Sequence, residues 1–135
     1  MSYQPPVQVT ADNLDQVADD YRRRAQKADV AGDRVLLIRA TGRSAQGLVE
    51  VTVDGSAMVV DVQFSQGASS APANLGFFLK QAHDRAVAEW NRQVTVIAEE
   101  ELPDDPQLRD HMVRQSAADL AAHVDPANLD ETEDE

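Results

Sequence analysis

The segment GRSAQGLVEVTVDGSAMVVDVQF, residues 42–64, carries the clearest secondary-structure pattern in the chain. Its middle part alternates apolar and polar residues, and the apolar positions are Val49, Val51 and Val53. This period of two is typical of a half-buried strand. The dipeptide Asp54-Gly55 follows and favours a tight hairpin turn with Gly55 at a positive φ angle. A second alternating run, formed by Met58, Val60, Val62 and Phe64, predicts the returning strand.

A third strand is predicted upstream of the hairpin. Residues 35–41 are a β-branched and aliphatic run, and Gly42 and Gly47 bracket a short polar connection that leads into the Leu48 strand. The sequence therefore predicts a three-stranded antiparallel sheet.

A helix is predicted before the sheet, after a flexible lead-in over residues 1–11. Asp12 is its expected N-cap and Gly32 its expected end. Its apolar stripe recurs every three or four residues and consists of Leu14, Val17, Ala18, Tyr21, Ala25 and Ala28.

A long helix is predicted to begin at Leu75, after a Ser- and Gly-rich loop. Its apolar seam comprises Leu75, Phe78, Leu79, Ala82, Ala86, Trp90, Val94 and Ile97. Such a helix is too long for a small sheet to cover, so we expect part of the seam to pack on the same helix of a second subunit. The alternative is that the first helix of the same chain covers it. Trp90 is expected to be a core residue.

The C-terminal quarter is predicted to contain an acidic linker and a short helix over residues 99–124. Asp105 followed by Pro106 is a helix-start signal. Residues 125–135 have almost no apolar side chains and are predicted to be a disordered acidic tail. The core domain is assigned to residues 12–98.

The net charge of −12 is distributed unevenly along the 135 residues. Residues 1–98 hold 11 acids and 10 bases, whereas residues 99–135 hold 13 acids and 2 bases. There is no cysteine, which excludes disulfides and thiol chemistry. Neither a signal peptide nor a long apolar run is present, so we expect a cytoplasmic protein without a membrane partner.

The hairpin motif also resembles a known family. The strand GLVEVTVDG followed by VVDVQF is similar to the sheet of the YbaB/EbfC family of small bacterial nucleoid-associated proteins. The resemblance covers roughly residues 10–98. The excess of arginine over lysine fits a GC-rich genome, and with the net charge of −12 we expect an acidic, actinobacterial member. It implies a helix, three strands and a helix, paired as a homodimer that binds DNA. The loop SQGASSAPAN departs from the Asp-Pro segment that is common in the family.

Catalytic chemistry has no support in the sequence, and we expect neither an enzyme nor a cofactor or metal. His83, His111 and His123 are isolated from one another, and the adjacent Asp84 and Asp110 are expected to point elsewhere. Nucleophile elbows and phosphate-binding glycine loops are also absent from the sequence.

Two functions remain open on this basis. In the first, a homodimer binds duplex DNA at the nucleoid through phosphate contacts. Its candidate residues are Arg22, Arg23, Arg24, Lys27, Arg39 and Arg43, with Arg85 and Arg92 as further candidates. Nearby carboxylates could pair with the first four. In the second, the same fold is a protein-interaction module, and the acidic tail solubilises it or docks on a basic partner; some acidic relatives are associated with secretion systems.

Overall fold

The computed structural model describes residues 13–70 and 72–130 of the chain. The main elements are α1 Leu14–Leu36, β1 Ala40–Arg43, β2 Val49–Val53, β3 Val59–Phe64, α2 Leu75–Glu101 and α3 Pro106–His123. Short 3-10 turns cover Ala45–Gly47, Gln66–Ser70, Pro72–Asn74 and Pro126–Leu129. The strands form one antiparallel sheet in the order β1-β2-β3, which confirms the predicted α+β fold.

The first helix is longer than predicted. Asn13 precedes it, and the expected cap Asp12 lies outside the described residues. The helix continues through Gly32 to Leu36, so the predicted stop at Gly32 is wrong. Glycine lowers helix propensity by only about 1 kcal/mol, and the packing of Ala31 and Val35 against the core outweighs that cost. The strand predicted over residues 35–41 is consequently shorter and begins at Ala40.

One face of the central strand β2 is buried in the hydrophobic core, as predicted. Val49, Val51 and Val53 are fully buried and face α2. Gly42, which was predicted to lie in a connection, is instead part of β1 and pairs with Val51. A Cβ atom at Gly42 would collide with the backbone of Ala82 and Ala86. The helix can therefore approach the sheet closely at this point.

The hairpin between β2 and β3 forms, but its turn differs from the prediction. The residue at positive φ is Ala57, with φ 59°, and Gly55 does not adopt such an angle. Asp54 organises the loop, because its Oδ1 accepts hydrogen bonds from the backbone N–H groups of Ser56 and Met58 at 2.9 and 3.1 Å. Gly55 is needed for a different reason: a Cβ atom there would meet the carbonyl oxygen of Val35.

The edge strand β3 is the most exposed apolar element of the sheet. Val59, Val60 and Phe64 are 49%, 51% and 54% exposed, so side chains on both of its faces reach solvent. A bulge opposite Thr52 and Val53 leaves one residue of β3 unpaired within the ladder. An exposed apolar edge strand of this kind can pair with the edge of another chain.

Most of the seam predicted to contact a partner helix lies in the core of this chain. The buried members are Ala82, Ala86, Trp90, Val94 and Ile97. The sheet, α1 and α3 together cover this part of α2, so its length alone does not require a second subunit. Leu75 and Phe78 are half-buried and Leu79 is exposed. Trp90 is a core residue, as predicted, and homodimerisation stays a prediction.

The third helix follows its predicted signals. Asp105 caps it by accepting a hydrogen bond from the backbone N–H of Leu108 at 3.2 Å, and Pro106 is its first residue. Within residues 13–70 and 72–130, no helix has both the length and the apolar character needed to cross a membrane.

We predict that Gly55→Ala destabilises the fold by about 2 kcal/mol or more, because the new methyl group must displace the backbone of α1. Gly32→Ala is the matched control, since a Cβ atom at that position would have no neighbour within 4 Å and alanine is the better helix former. Thermal unfolding of both variants would measure the difference. Equal stability of the two variants would contradict the close approach at Gly55.

Candidate nucleic-acid interface

Two arginines of α1, Arg22 and Arg23, are exposed and paired with acids of the same helix. Arg22 contacts Asp19 at 3.0 Å, and Arg23 contacts Asp20 at 2.7 Å. The two arginine side chains are 74% and 68% exposed. Exposed pairs of this kind contribute only about 0.2–1 kcal/mol, so a phosphate group can replace the carboxylate at little cost. The partial pairing considered from the sequence is thus confirmed for these two residues.

Arg24 has a different role because it links α1 to the start of α3. Its Nε and Nη2 donate to the Asp105 carboxylate at 2.7 and 3.4 Å. This hydrogen bond and ion pair raise the pKa of Arg24. The same hydrogen bond lowers the pKa of Asp105, with smaller contributions from the Leu108 N–H and the charge of Lys27. Arg24 is therefore largely engaged in holding the two helices together.

The candidates at β1 lie apart from these residues of α1; Arg39 precedes the strand and Arg43 is its last residue. The Nη1 of Arg39 donates to the Ile38 carbonyl oxygen at 2.8 Å, and the Nε of Arg43 donates to Glu50 at 2.9 Å. Arg43 lines a cavity of about 620 Å³ together with Arg85 and Arg92 of α2. We call this cavity the arginine groove. The structure thus divides the sequence candidates into the α1 cluster and the groove, with Arg39 outside both.

The arginine groove also contains carboxylate and apolar side chains. Glu89 lies in its wall and forms an ion pair with Arg92, which lowers the pKa of Glu89. Leu129, from the C-terminal 3-10 turn, closes one side. Arg85 and Arg92 are seven residues apart, which is about two turns of an α-helix. This spacing indicates from the sequence alone that the two side chains lie on the same face of α2. Their convergence with Arg43 depends on the fold and was not foreseen.

The buried carboxylate of Asp84 was also missed. It is inaccessible to solvent, and His83 does not point away from it as expected, because its Nδ1 lies 2.9 Å from Asp84 Oδ1. Lys80 Nζ donates to the same oxygen at 2.7 Å, and Asn128 Nδ2 donates to Oδ2 at 2.7 Å. Burial acts to raise the pKa of Asp84, but these hydrogen bonds outweigh it and lower the pKa.

The segment after α3 is consequently ordered over residues 125–130, which corrects the prediction of a disordered tail from residue 125. The backbone N–H of Asp125 donates to Asp84 Oδ2 at 3.1 Å, and Asn128 is buried. The predicted disorder of residues 131–135 lies outside the described part. Among the described residues, no group of three or more His, Asp or Glu side chains is arranged to hold a metal ion.

Comparison with protein families supports the resemblance noted in the sequence. The model of the YbaB/EbfC DNA-binding family matches residues 10–102, which include α1, the sheet and α2. The chain therefore belongs to the YbaB/EbfC family of DNA-binding, nucleoid-associated proteins. No curated protein matches the chain. The helix α3 and the C-terminal 3-10 turn lie beyond the matched range.

We predict that Asp105→Ala destabilises the protein by about 1 kcal/mol, because the variant loses both the N-cap of α3 and the partner of Arg24. Asp104→Ala makes the same change of charge at the neighbouring exposed position and should change stability by less than about 0.5 kcal/mol. Urea unfolding monitored by circular dichroism would compare them. Indistinguishable midpoints would show that Asp105 does not join the helices.

Proposed function

We propose that the protein is a homodimer that binds the phosphate backbone of duplex DNA through the basic face of α1, in the cytoplasm at the nucleoid. Family membership supports DNA as the partner. The observation that carries the proposal is the exposure of Arg22 and Arg23, which are held only by weak surface ion pairs. Lys27 extends the same face and forms no salt bridge with another described residue.

The position of α1 suits this role. Ala31 is the only buried residue of the helix, so its first four turns lie outside the core. Cations on such a helix can approach a duplex without a clash from the body of the protein. Two copies in a dimer double the number of phosphates within reach, and affinity rises with that number.

The acidic C-terminal part opposes this binding. Residues 99–135 carry 13 acids and 2 bases, and they reduce the attraction of the whole protein for a polyanion. We therefore propose weak DNA binding at physiological salt and stronger binding at low salt, modulated by this acidic part.

A salt titration of a fluorescent duplex tests the proposal. Replacing Arg22 and Arg23 by alanine should weaken binding and lower the magnitude of the log-log salt slope by about 0.9 for each lost phosphate contact. Asp19→Asn with Asp20→Asn should have the opposite effect, because it releases the two arginines.

Asp119→Asn is the matched control for the aspartate variants, since it changes the charge on α3 at an exposed position. It should tighten binding less than either substitution on α1. If the folded wild-type protein binds no duplex even at low salt, the DNA proposal fails.

A protein-interaction module is the second candidate function. It is favoured by the apolar stripe of α1, where Leu14 and Tyr21 are 54% and 70% exposed. Such exposure is typical of a helix that docks on a partner. If the folded protein binds no duplex in the salt titration, the protein-interaction function becomes the favoured one.

The homodimer is proposed to form through β3, because this strand lies at an edge of the sheet formed by the described residues and exposes apolar side chains. We predict that wild-type protein scatters light as a dimer and that Val60→Lys shifts it toward a monomer by introducing two charges into the interface. The single chain should stay folded, since Val60 is already half-exposed.

Gln63→Lys is the control for Val60→Lys because it adds the same charge at an exposed polar position of the same strand. It should dissociate the dimer less. A wild-type monomer at micromolar concentration, or a dimer unaffected by Val60→Lys, would contradict the assignment of β3.

A further inference from the structure

The C-terminal segment of residues 125–130, here called the strap, is hydrogen-bonded to two neighbouring residues of α2, Asp84 and Arg85. Asp84 receives hydrogen bonds from the Asp125 backbone and from the side chain of Asn128. Lys80 joins the same attachment, because its Nζ bonds both to Asp84 and to the carbonyl oxygen of His123. The charged, buried carboxylate thus holds the strap in place.

The strap lies against the arginine groove. Arg85 donates from Nε to the Asn128 carbonyl oxygen at 2.8 Å and from Nη2 to that of Asp130 at 3.4 Å. Leu129 forms part of the cavity wall beside Arg43 and Arg92. Nε and Nη2 of Arg85 are therefore directed toward the strap, whereas Nη1 donates to the Arg43 carbonyl oxygen at 3.0 Å.

We infer that the arginine groove is a second binding site for nucleic-acid phosphates and that the strap closes it. A phosphate oxygen makes stronger, charge-assisted hydrogen bonds to a guanidinium than a neutral carbonyl oxygen does. When the strap detaches, Nε and Nη2 of Arg85 become available next to Arg43 and Arg92. Strap docking and phosphate binding then compete for the same donors. The inference takes its ligand from the proposed function but uses residues other than those of α1.

The strap can detach from α2 without unfolding the hydrophobic core. Asn128 is its only buried residue, and most of its other side chains are exposed. Segments with few buried contacts open locally at low free-energy cost. The strap lies outside residues 10–102, which the family model matches.

Asn128→Asp in the full chain tests the inference. The substitution keeps the shape of the side chain but places a carboxylate against that of Asp84, and like charges repel. We expect this variant to bind a fluorescein-labelled duplex on the order of tenfold more tightly than wild type at low salt. Faster amide hydrogen exchange in residues 125–130 should accompany the gain. Asn128→Ala, which removes the donor without adding charge, should act in the same direction.

Ala127→Asp is the matched control, because it adds the same charge at an exposed position of the strap that does not face Asp84. It should leave binding unchanged or weaken it. Adding Arg85→Gln, or separately Arg92→Gln, to Asn128→Asp should abolish the gain, whereas adding Arg114→Ala on α3 should preserve it.

The failures of the two proposals are distinguishable. If wild type binds through α1 but neither Asn128 variant binds more tightly, or if the gain survives the Arg85 and Arg92 substitutions, the groove inference is overturned and the α1 proposal stands. If the variants of Arg22 and Arg23 have no effect but opening the strap creates binding that requires Arg85, the α1 proposal fails and the groove inference stands.

Discussion

The close contact between α2 and β1 at Gly42 determines how the long helix packs on the sheet, and the positions of the other elements depend on that packing. Because Gly42 has no side chain and Ala82 and Ala86 have small ones, the helix backbone approaches the strand directly. Larger residues at these positions would raise the helix from the sheet. The buried Gln81 reinforces the contact, since its Oε1 accepts a hydrogen bond from the backbone N–H of Ala45 at 2.7 Å.

The functional surfaces follow from this placement. With α2 held at the sheet, Asp84 lies in the interior and Arg85 reaches the carbonyl oxygen of Arg43 at 3.0 Å. One turn of helix thus carries both the anchor of the strap and the central cation of the groove. The α1 cluster is positioned by other contacts, namely the packing of Ala31 and Val35 on the core and the bond from Arg24 to Asp105. The two basic surfaces are therefore positioned by different parts of the fold.

The local sequence pattern predicted most helices and strands correctly. The errors in the prediction arose where contacts between distant parts of the chain decide the structure. The sheet and the long helix were predicted because apolar periodicity reflects which side chains are buried. The period is two residues at Val49, Val51 and Val53, and three to four residues in α2. Gly32 and Gly55 were misjudged because the role of a glycine depends on what packs beside it.

The site was predicted less completely than the fold. The arginines of α1 are adjacent in sequence and were identified, together with their acidic neighbours. The groove needs one residue from β1 and two from α2, and the strap needs a carboxylate some forty residues away from its partners. Such combinations leave no periodic signal. For the same reason the ordered residues 125–130 were assigned to a tail on their acidic composition alone.

Trp90 Nε1 donates a hydrogen bond to the Gly55 carbonyl oxygen at 2.9 Å, so the fluorescence of this tryptophan reports on the contact between α2 and the β2-β3 loop. Trp90 is the only tryptophan in the chain, so all indole fluorescence comes from the junction of α2 with the β2-β3 loop. The indole ring is shielded from water there, and its emission shifts to longer wavelength when the loop separates from the helix. The strap bonds to α2 near Asp84 instead, so fluorescence distinguishes disruption of the sheet from movement of the C-terminal segment.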